Sequence, residues 1–296
     1  MQADYTILKH ALPGFLLLLI VETVSLWRER KENKVSENIL ASLGLNIGAL
    51  ILNIFTNGIV LILLGLVYRY RLFSFQDNTW GLWIFCFFAD DLSYYWFHRC
   101  SHQVRFLWAS HMVHHSSEAY TLAGGLRLPW TSSLTGTFLF WAWMPLLGIT
   151  PRMVILMKTT SVIYQFWLHT EAITRLPKWF ESVFNTPSHH RVHHASDVEY
   201  LDKNHAGTLI IWDKLFLTFQ EEKFKPTYGL TENINSFNPF VIAFHEWKKI
   251  FSDCQKSTRI KDRFNYFFNS PGWCNNGSSK TTKQLRAVHK IRQRLT

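Results

Sequence analysis

His98-Arg-Cys-Ser-His102 places two imidazoles four residues apart, a spacing that stacks side chains on one face of a helix. His111-Met-Val-His114-His115 and His190-Arg-Val-His193-His194 each repeat an i, i+3, i+4 pattern. Eleven of the fourteen histidines lie between His98 and His205. Scattered surface histidines have no need of that spacing twice, whereas a metal does, since neutral imidazole suits zinc, copper, iron and nickel alike. The two members of each adjacent pair diverge by roughly 100° around a helix. They therefore serve two different ions, while the first residue of each trio joins one of them. This predicts a dinuclear centre, with His169 as a ninth ligand at the end of an apolar stretch. His10, His245 and His289 stand apart and read as surface or hydrogen-bonded residues.

Two divalent ions among neutral rings form a strongly cationic site, so nearby carboxylates are needed to balance charge and orient ring N–H groups. The candidates are Asp90, Asp91, Glu171, Asp197, Glu199 and Asp202, with Asp91 and Glu171 favoured for their closeness to His98 and His169. His189 directly precedes the last trio. Two other chemistries compete with redox catalysis. One is a zinc-dependent membrane hydrolase using Glu171 as general base. The other is a non-enzymatic bis-histidine haem electron carrier, which needs single histidines facing each other across helices rather than adjacent pairs.

The elements that must position these residues are apolar. The mean hydropathy of −0.01 averages over very different segments. From Ile39 to Leu66 the chain runs twenty-eight residues without a charge, more than enough for a helix to cross a roughly 30 Å hydrocarbon layer. Further apolar stretches run over residues 11–27, 80–97, 134–150 and 153–168. Asn46, Asn53 and Asn57-Gly58 leave the 39–66 stretch open to one span or a tight hairpin. Asp90, Asp91 and Lys158 should turn toward protein rather than lipid. The predicted fold is an all-α integral membrane protein: a single domain over 1–296 with about four to five transmembrane helices, and a cytoplasmic helical cap over 98–130 and 169–220. A hairpin over 134–168 returns the chain to the side it left, which brings the two histidine groups to one membrane face.

The net charge of +10 in a soluble domain would suggest nucleic acid. Here residues 171–296 hold nineteen basic and twelve acidic side chains, which suits a basic tail (221–296) facing the cytoplasm of the endoplasmic reticulum or bacterial inner membrane. Arg28, Arg30, Lys31 and Lys34 favour the same side. The basic end, Lys283 to Arg294, is either a headgroup-binding segment or a solvated tail. Four scattered cysteines without a C-x-x-C pair read as reduced thiols. The first apolar run carries Glu22 and lacks a small-residue cleavage site, so it reads as retained in the membrane rather than as a signal peptide.

The three histidine boxes, D-D-L-S-Y-Y-W-F-H-R-C-S-H from Asp90, N-T-P-S-H-H-R-V-H-H from Asn185 and D-K-N-H-A-G-T-L-I-I-W-D from Asp202 together resemble the fatty acid hydroxylase and sterol desaturase superfamily. Within it, Y-Q-F-W-L-H-T-E from Tyr164 is most similar to the alkylglycerol monooxygenase-like branch. The resemblance implies an O2-dependent di-iron membrane enzyme that hydroxylates or desaturates a lipid C–H bond of an ether lipid, fatty acyl chain or sterol. It also implies an external electron donor, either tetrahydrobiopterin or a redox protein. His98, His102, His111, His114, His115, His169, His190, His193 and His194 would hold two iron ions. His189 would be a tenth ligand or a partner of one, and Asn204 and His205 would orient ligands. The chain departs from that branch at Gln103, where Glu is typical, and at His205, where Tyr is usual.

Overall fold

A computed structural model describes residues 2–29, 35–75 and 79–295. Residues 30–34, which carry most of the basic segment used above for orientation, and the side chain of His10 lie outside the described set. Among the described residues the chain is helical: α1 (Gln2–Glu29), α2 (Val35–Arg69), α3 (Trp80–Gln103), α4 (Arg105–His115), α5 (Leu122–Gly125), α6 (Trp143–Leu147), α7 (Pro151–Phe166), α8 (Lys178–Glu181), α9 (Pro187–His193), α10 (Ile211–Leu215), α11 (Pro239–Lys256), α12 (Ile260–Phe268) and α13 (Thr282–Leu295). The only β pairing among them is two isolated bridges, Phe184 with Leu209 and Ala195 with Tyr228.

The longest apolar stretch forms one continuous helix. Asn57 and Gly58 sit inside α2 without breaking it, because a single glycine still completes the helical hydrogen-bond ladder at a cost of only about 1 kcal/mol. Its 35 residues extend about 52 Å. Ser36–Arg69 is the one described helix long and apolar enough to cross a membrane. Ile47, Ile54, Phe55 and Ile62 on it are exposed over more than half of their surface, as a lipid-facing surface would be.

The stretch from 134 to 150 is not one continuous α-helix. It folds as two 3-10 turns, Ser133–Thr135 and Thr137–Trp141, followed by the short α6. Gly136 and Gly148 adopt left-handed φ values of 76° and 115°, a conformation that ends helices. The following α7 has 16 residues, about 24 Å, short of the roughly 30 Å hydrocarbon layer.

Helix α3 packs on α7 and on the segment between them in sequence. The polar residues of these elements do face inward. The Trp141 indole N–H donates to Asp90 at 2.7 Å, and the Lys158 ammonium lies 3.8 Å from the centre of the same indole. Leu82, Cys86, Ala89, Met144, Ile149, Met153 and Val154 close the core around them. All four cysteines are free thiols.

Beyond this apolar layer, α4 leaves the end of α3 after a single residue, Val104, and is held by α11 and α12. Ala41 and Leu45 of α2 meet Val113 of α4 and Ile242 and Ala243 of α11. The buried Arg105 guanidinium at the start of α4 donates to Glu246 at 2.6 Å and to Asp253 at 2.8 Å, both on α11. Removing one partner of a buried pair leaves the other charge uncompensated. Arg105→Ala should therefore lower stability by about 3 kcal/mol, measured as a shift of the thermal or denaturant midpoint in detergent. An unchanged midpoint would show that α11 docks through apolar contacts alone.

Candidate metal centre

The nine histidines of the boxes and of the end of α7 converge as two adjoining groups. The first holds His98, His102, His111, His115 and His193, the second His114, His169, His190 and His194, and within each group the candidate ligand atoms lie within 4.8 Å of one another. Helical spacing explains the division. His111 and His115 face one way on α4 as an i, i+4 pair, while His114 turns to the other group. On α9 the partition is reversed, with His190 and His194 together in the second group and His193 crossing to the first.

The ring nitrogens show what such a cluster can do. The Nδ1–H of His98 donates to the His205 carbonyl at 2.8 Å, that of His193 to Lys203 at 2.9 Å, and that of His169 to Gln165 at 3.1 Å. A neutral ring that donates through Nδ1 presents Nε2 as a bare lone pair. The Nε2 atoms point at each other: His193 to His115 at 3.2 Å, His115 to His111 at 3.1 Å, His190 to His169 at 3.0 Å, His169 to His114 at 3.2 Å and His194 to His190 at 3.2 Å. The Nε2 atoms of His98 and His102 are buried with no hydrogen-bond partner among the described residues. Neutral rings in this arrangement either share an N–H or turn lone pairs on one another, and in the second case they repel unless a cation sits between them. Nitrogens about 2.1 Å from a common ion are themselves about 3 Å apart. The donor set and its spacing fit two metal ions.

Burial keeps the rings in the form that metals take. His114, His115, His190, His193 and His194 titrate well below the ordinary histidine value, first because burial disfavours an imidazolium and then because neighbouring rings would repel it. Aromatic residues wall off the centre. Trp108 lies against His102 and His115, and Tyr120 covers His169 and His194 while stacking on Tyr228.

The expected orienting carboxylates work at a distance from the rings. Asp91 touches no histidine; it accepts from the backbone N–H of Thr208 at 2.8 Å, of Leu209 at 3.0 Å and from the Trp212 indole at 2.9 Å. It thereby pins the loop whose His205 carbonyl holds His98. Glu171 is exposed, accepting from the Tyr228 hydroxyl at 2.9 Å and pairing with Lys225 at 3.5 Å. His169 leaves it no ring N–H to accept, because its Nδ1–H is spent on its own helix. Among the candidate acids and the described residues, only Asp202 has an ion pair or hydrogen bond to a ring of the two histidine groups, His102 Nδ1 at 3.4 Å. Asp197 instead accepts from the Thr227 N–H, and Glu199 pairs with His289.

His189 lies outside both groups, its ring edge-on to Phe219, and burial lowers its pKa to about 4. Asn204, in left-handed backbone at φ 54°, donates to the carbonyls of His189 and Gln220 and accepts from the Gln220 N–H. It joins two loops rather than touching a ligand ring. Asp213 holds the N–H groups of His205 and Ala206, each at 2.8 Å, and burial raises its pKa to about 6.

Three residues with positioning roles escape a reading of motifs. Arg191, inside the last box, grips the carbonyls of Thr170, Ile173 and Thr174 and pairs with Glu222 through two bonds of 2.7 and 2.8 Å, which ties the chain after His169 to α9. At Gly125 a Cβ would come within 2.7 Å of the His169 ring, and at Gly207 within 2.8 Å of Tyr94. The Gly124-Gly125 pair after the second box was the only sequence signal for this close approach.

Two outcomes follow from this arrangement. Asp91→Ala strands two backbone N–H donors and loosens the His205 carbonyl, so metal affinity should fall roughly 10- to 100-fold with all nine histidines intact; equal metal content in competition with a chelator would refute the positioning role. The pH effect has a definite sign. In the folded chain His114, His115, His190, His193 and His194 bind protons only well below the unfolded value of about 6.5, so the unfolded chain takes up more protons as the pH falls below it. Stability and metal retention should be full above that pH and lost progressively beneath it, as followed by melting point and bound metal between neutral and acid pH.

Comparison with known proteins agrees with this geometry. Residues 83–218 match the fatty acid hydroxylase family. Alkylglycerol monooxygenase of Homo sapiens is 38% identical over 275 residues, covering 91% of this chain and 60% of that protein. Its Xenopus tropicalis counterpart is 35% identical over 273 residues with the same coverage, and that of Danio rerio is 40% identical over 199 residues, 67% of this chain and 43% of that protein. The chain thus spans about 60% of the length of the first two relatives. No solved structure matches. The stretch from 83 to 218, which supplies every member of both histidine groups, belongs to the fatty acid hydroxylase family.

Proposed function

We propose that this chain is a membrane-bound, O2-dependent di-iron oxidoreductase that hydroxylates or desaturates a C–H bond of a lipid. The observation that carries the reading is the convergence of ring nitrogens in two adjoining groups of five and four histidines, within 4.8 Å of one another in each. His98, His102, His111, His115 and His193 would hold one iron, and His114, His169, His190 and His194 the other. Bound there, the metal pair supplies the O2 chemistry that protein side chains cannot perform.

The remaining work falls to the chain itself. The backbone carbonyls of Gln165, Lys203 and His205 fix ring orientation. Trp108 and Tyr120 shield the rings from water, which limits unproductive consumption of O2 and reductant. Helix α2 anchors the protein in the bilayer, and α1, α3 and α7 complete the membrane layer with it. The cap and the basic tail face the cytoplasm. An external donor, tetrahydrobiopterin or a redox protein, supplies the electrons. Similarity to proteins named alkylglycerol monooxygenase favours an ether lipid over an acyl chain or sterol as substrate.

The hydrolase reading finds less support. It needs a general base beside the metals, and Glu171 sits at the surface bonded to Tyr228 and Lys225. The haem reading needs two rings facing across an open slot the size of a porphyrin, and here the rings are within contact distance.

The decisive experiment combines metal analysis with lipidomics. Protein isolated under reducing conditions should carry about two iron ions, and membranes containing it should gain, only in the presence of O2, a lipid with one added oxygen or two fewer hydrogens. His114→Ala and His193→Ala should each lower iron content and abolish turnover while leaving membrane insertion intact. Two zinc ions with activity independent of O2 would sink the proposal.

A further inference from the structure

The basic C-terminal helix packs against the cap. With the end of α3 and residues around 202–218 it walls a cleft of about 790 Å³. Five cations line it, Arg99, Lys203, Lys283, Arg286 and Lys290, against one carboxylate, Asp202. That carboxylate is already engaged with His102 at 3.4 Å. Arg99 donates to the Tyr95 hydroxyl and lies over the Trp96 ring, and Arg286 donates to the Leu201 carbonyl; the buried Asp213, behind the lining, offsets part of the charge of Arg99 and Lys203. No hydrogen bond or ion pair from the described residues reaches the Lys203, Lys283 or Lys290 ammonium groups.

Like charges gathered around one concavity repel, and a multiply charged anion removes that repulsion while accepting charge-assisted hydrogen bonds. The volume lies within the roughly 300–1,000 Å³ of small-molecule sites, large enough for an organic body as well as a phosphate. We propose that this cleft binds a phosphate-bearing small molecule. Lys203, Lys283, Arg286 and Lys290 hold the phosphate, and the body points toward His102, which lines the same cleft and belongs to the first histidine group. The inference concerns binding alone and stands whichever reaction the metal centre performs.

The test uses the full chain in detergent at low salt, with inorganic pyrophosphate as the calorimetric probe. Saturable binding is expected. The triple variant K283Q/R286Q/K290Q should bind at least about ten-fold more weakly, with metal content and melting point unchanged, while K283R/K290R binds as the parent does. Competition identifies the source: dihexanoyl phosphatidic acid displacing the probe at lower concentration than glycerol 3-phosphate points to a lipid headgroup, and the reverse order to a soluble phosphate compound. Absence of saturable binding, an unaffected triple variant, equal loss in the arginine variant, or displacement by neither competitor would overturn the proposal.

Discussion

Nine buried or half-buried imidazoles aimed at one another are the constraint on which the rest of this molecule depends. Bare Nε2 lone pairs about 3 Å apart are tolerable only around cations, and a ring whose Nδ1–H is engaged elsewhere keeps its Nε2 bare. His98, His169 and His193 send theirs to backbone carbonyls. Ring orientation is thereby converted into a problem of backbone placement. The carbonyls of His205 and Lys203 lie in irregular chain, so the loop that carries them must be held as rigidly as a helix.

That rigidity comes from buried polar side chains acting on backbone groups. Asp91 collects the N–H groups of Thr208 and Leu209, Asp213 those of His205 and Ala206, and Asn204 ties the same loop to Gln220 and His189. Buried backbone donors without a ladder partner cost free energy unless something accepts from them, and these side chains are the acceptors. Arg191 does the converse, donating to three carbonyls after His169. The residues nearest the boxes in sequence thus serve the loops, and the loops serve the rings.

The apolar layer has a matching role. Helices α3 and α7 end at the level of the histidines, and their inward polar residues, Asp90 and Lys158, meet on Trp141. Helix α4 follows α3 after one residue and is clamped by Arg105 to α11, so the first two boxes share one rigid corner. The third box arrives on α9, a helix of only seven residues, which is why it needs Arg191 and the loop contacts to hold it.

The sequence by itself determined the spacing of the histidines, because an i, i+3, i+4 pattern is a local property of a helix and survives whatever the helix packs against. It likewise determined a long uncharged helix, since twenty-eight apolar residues have one low-energy arrangement in lipid. It did not reveal that Gly136 and Gly148 divide the apolar region of 134–150 into short turns, and it assigned Asp91 and Glu171 by proximity along the chain. Only the tertiary structure decided which rings gather in each group, which carboxylates touch rings and which touch loops, and that the basic tail closes a cleft. Those partnerships join residues as far apart as Asp91 and Thr208, or Arg99 and Lys290, and no local pattern encodes a contact whose other half lies a hundred residues away.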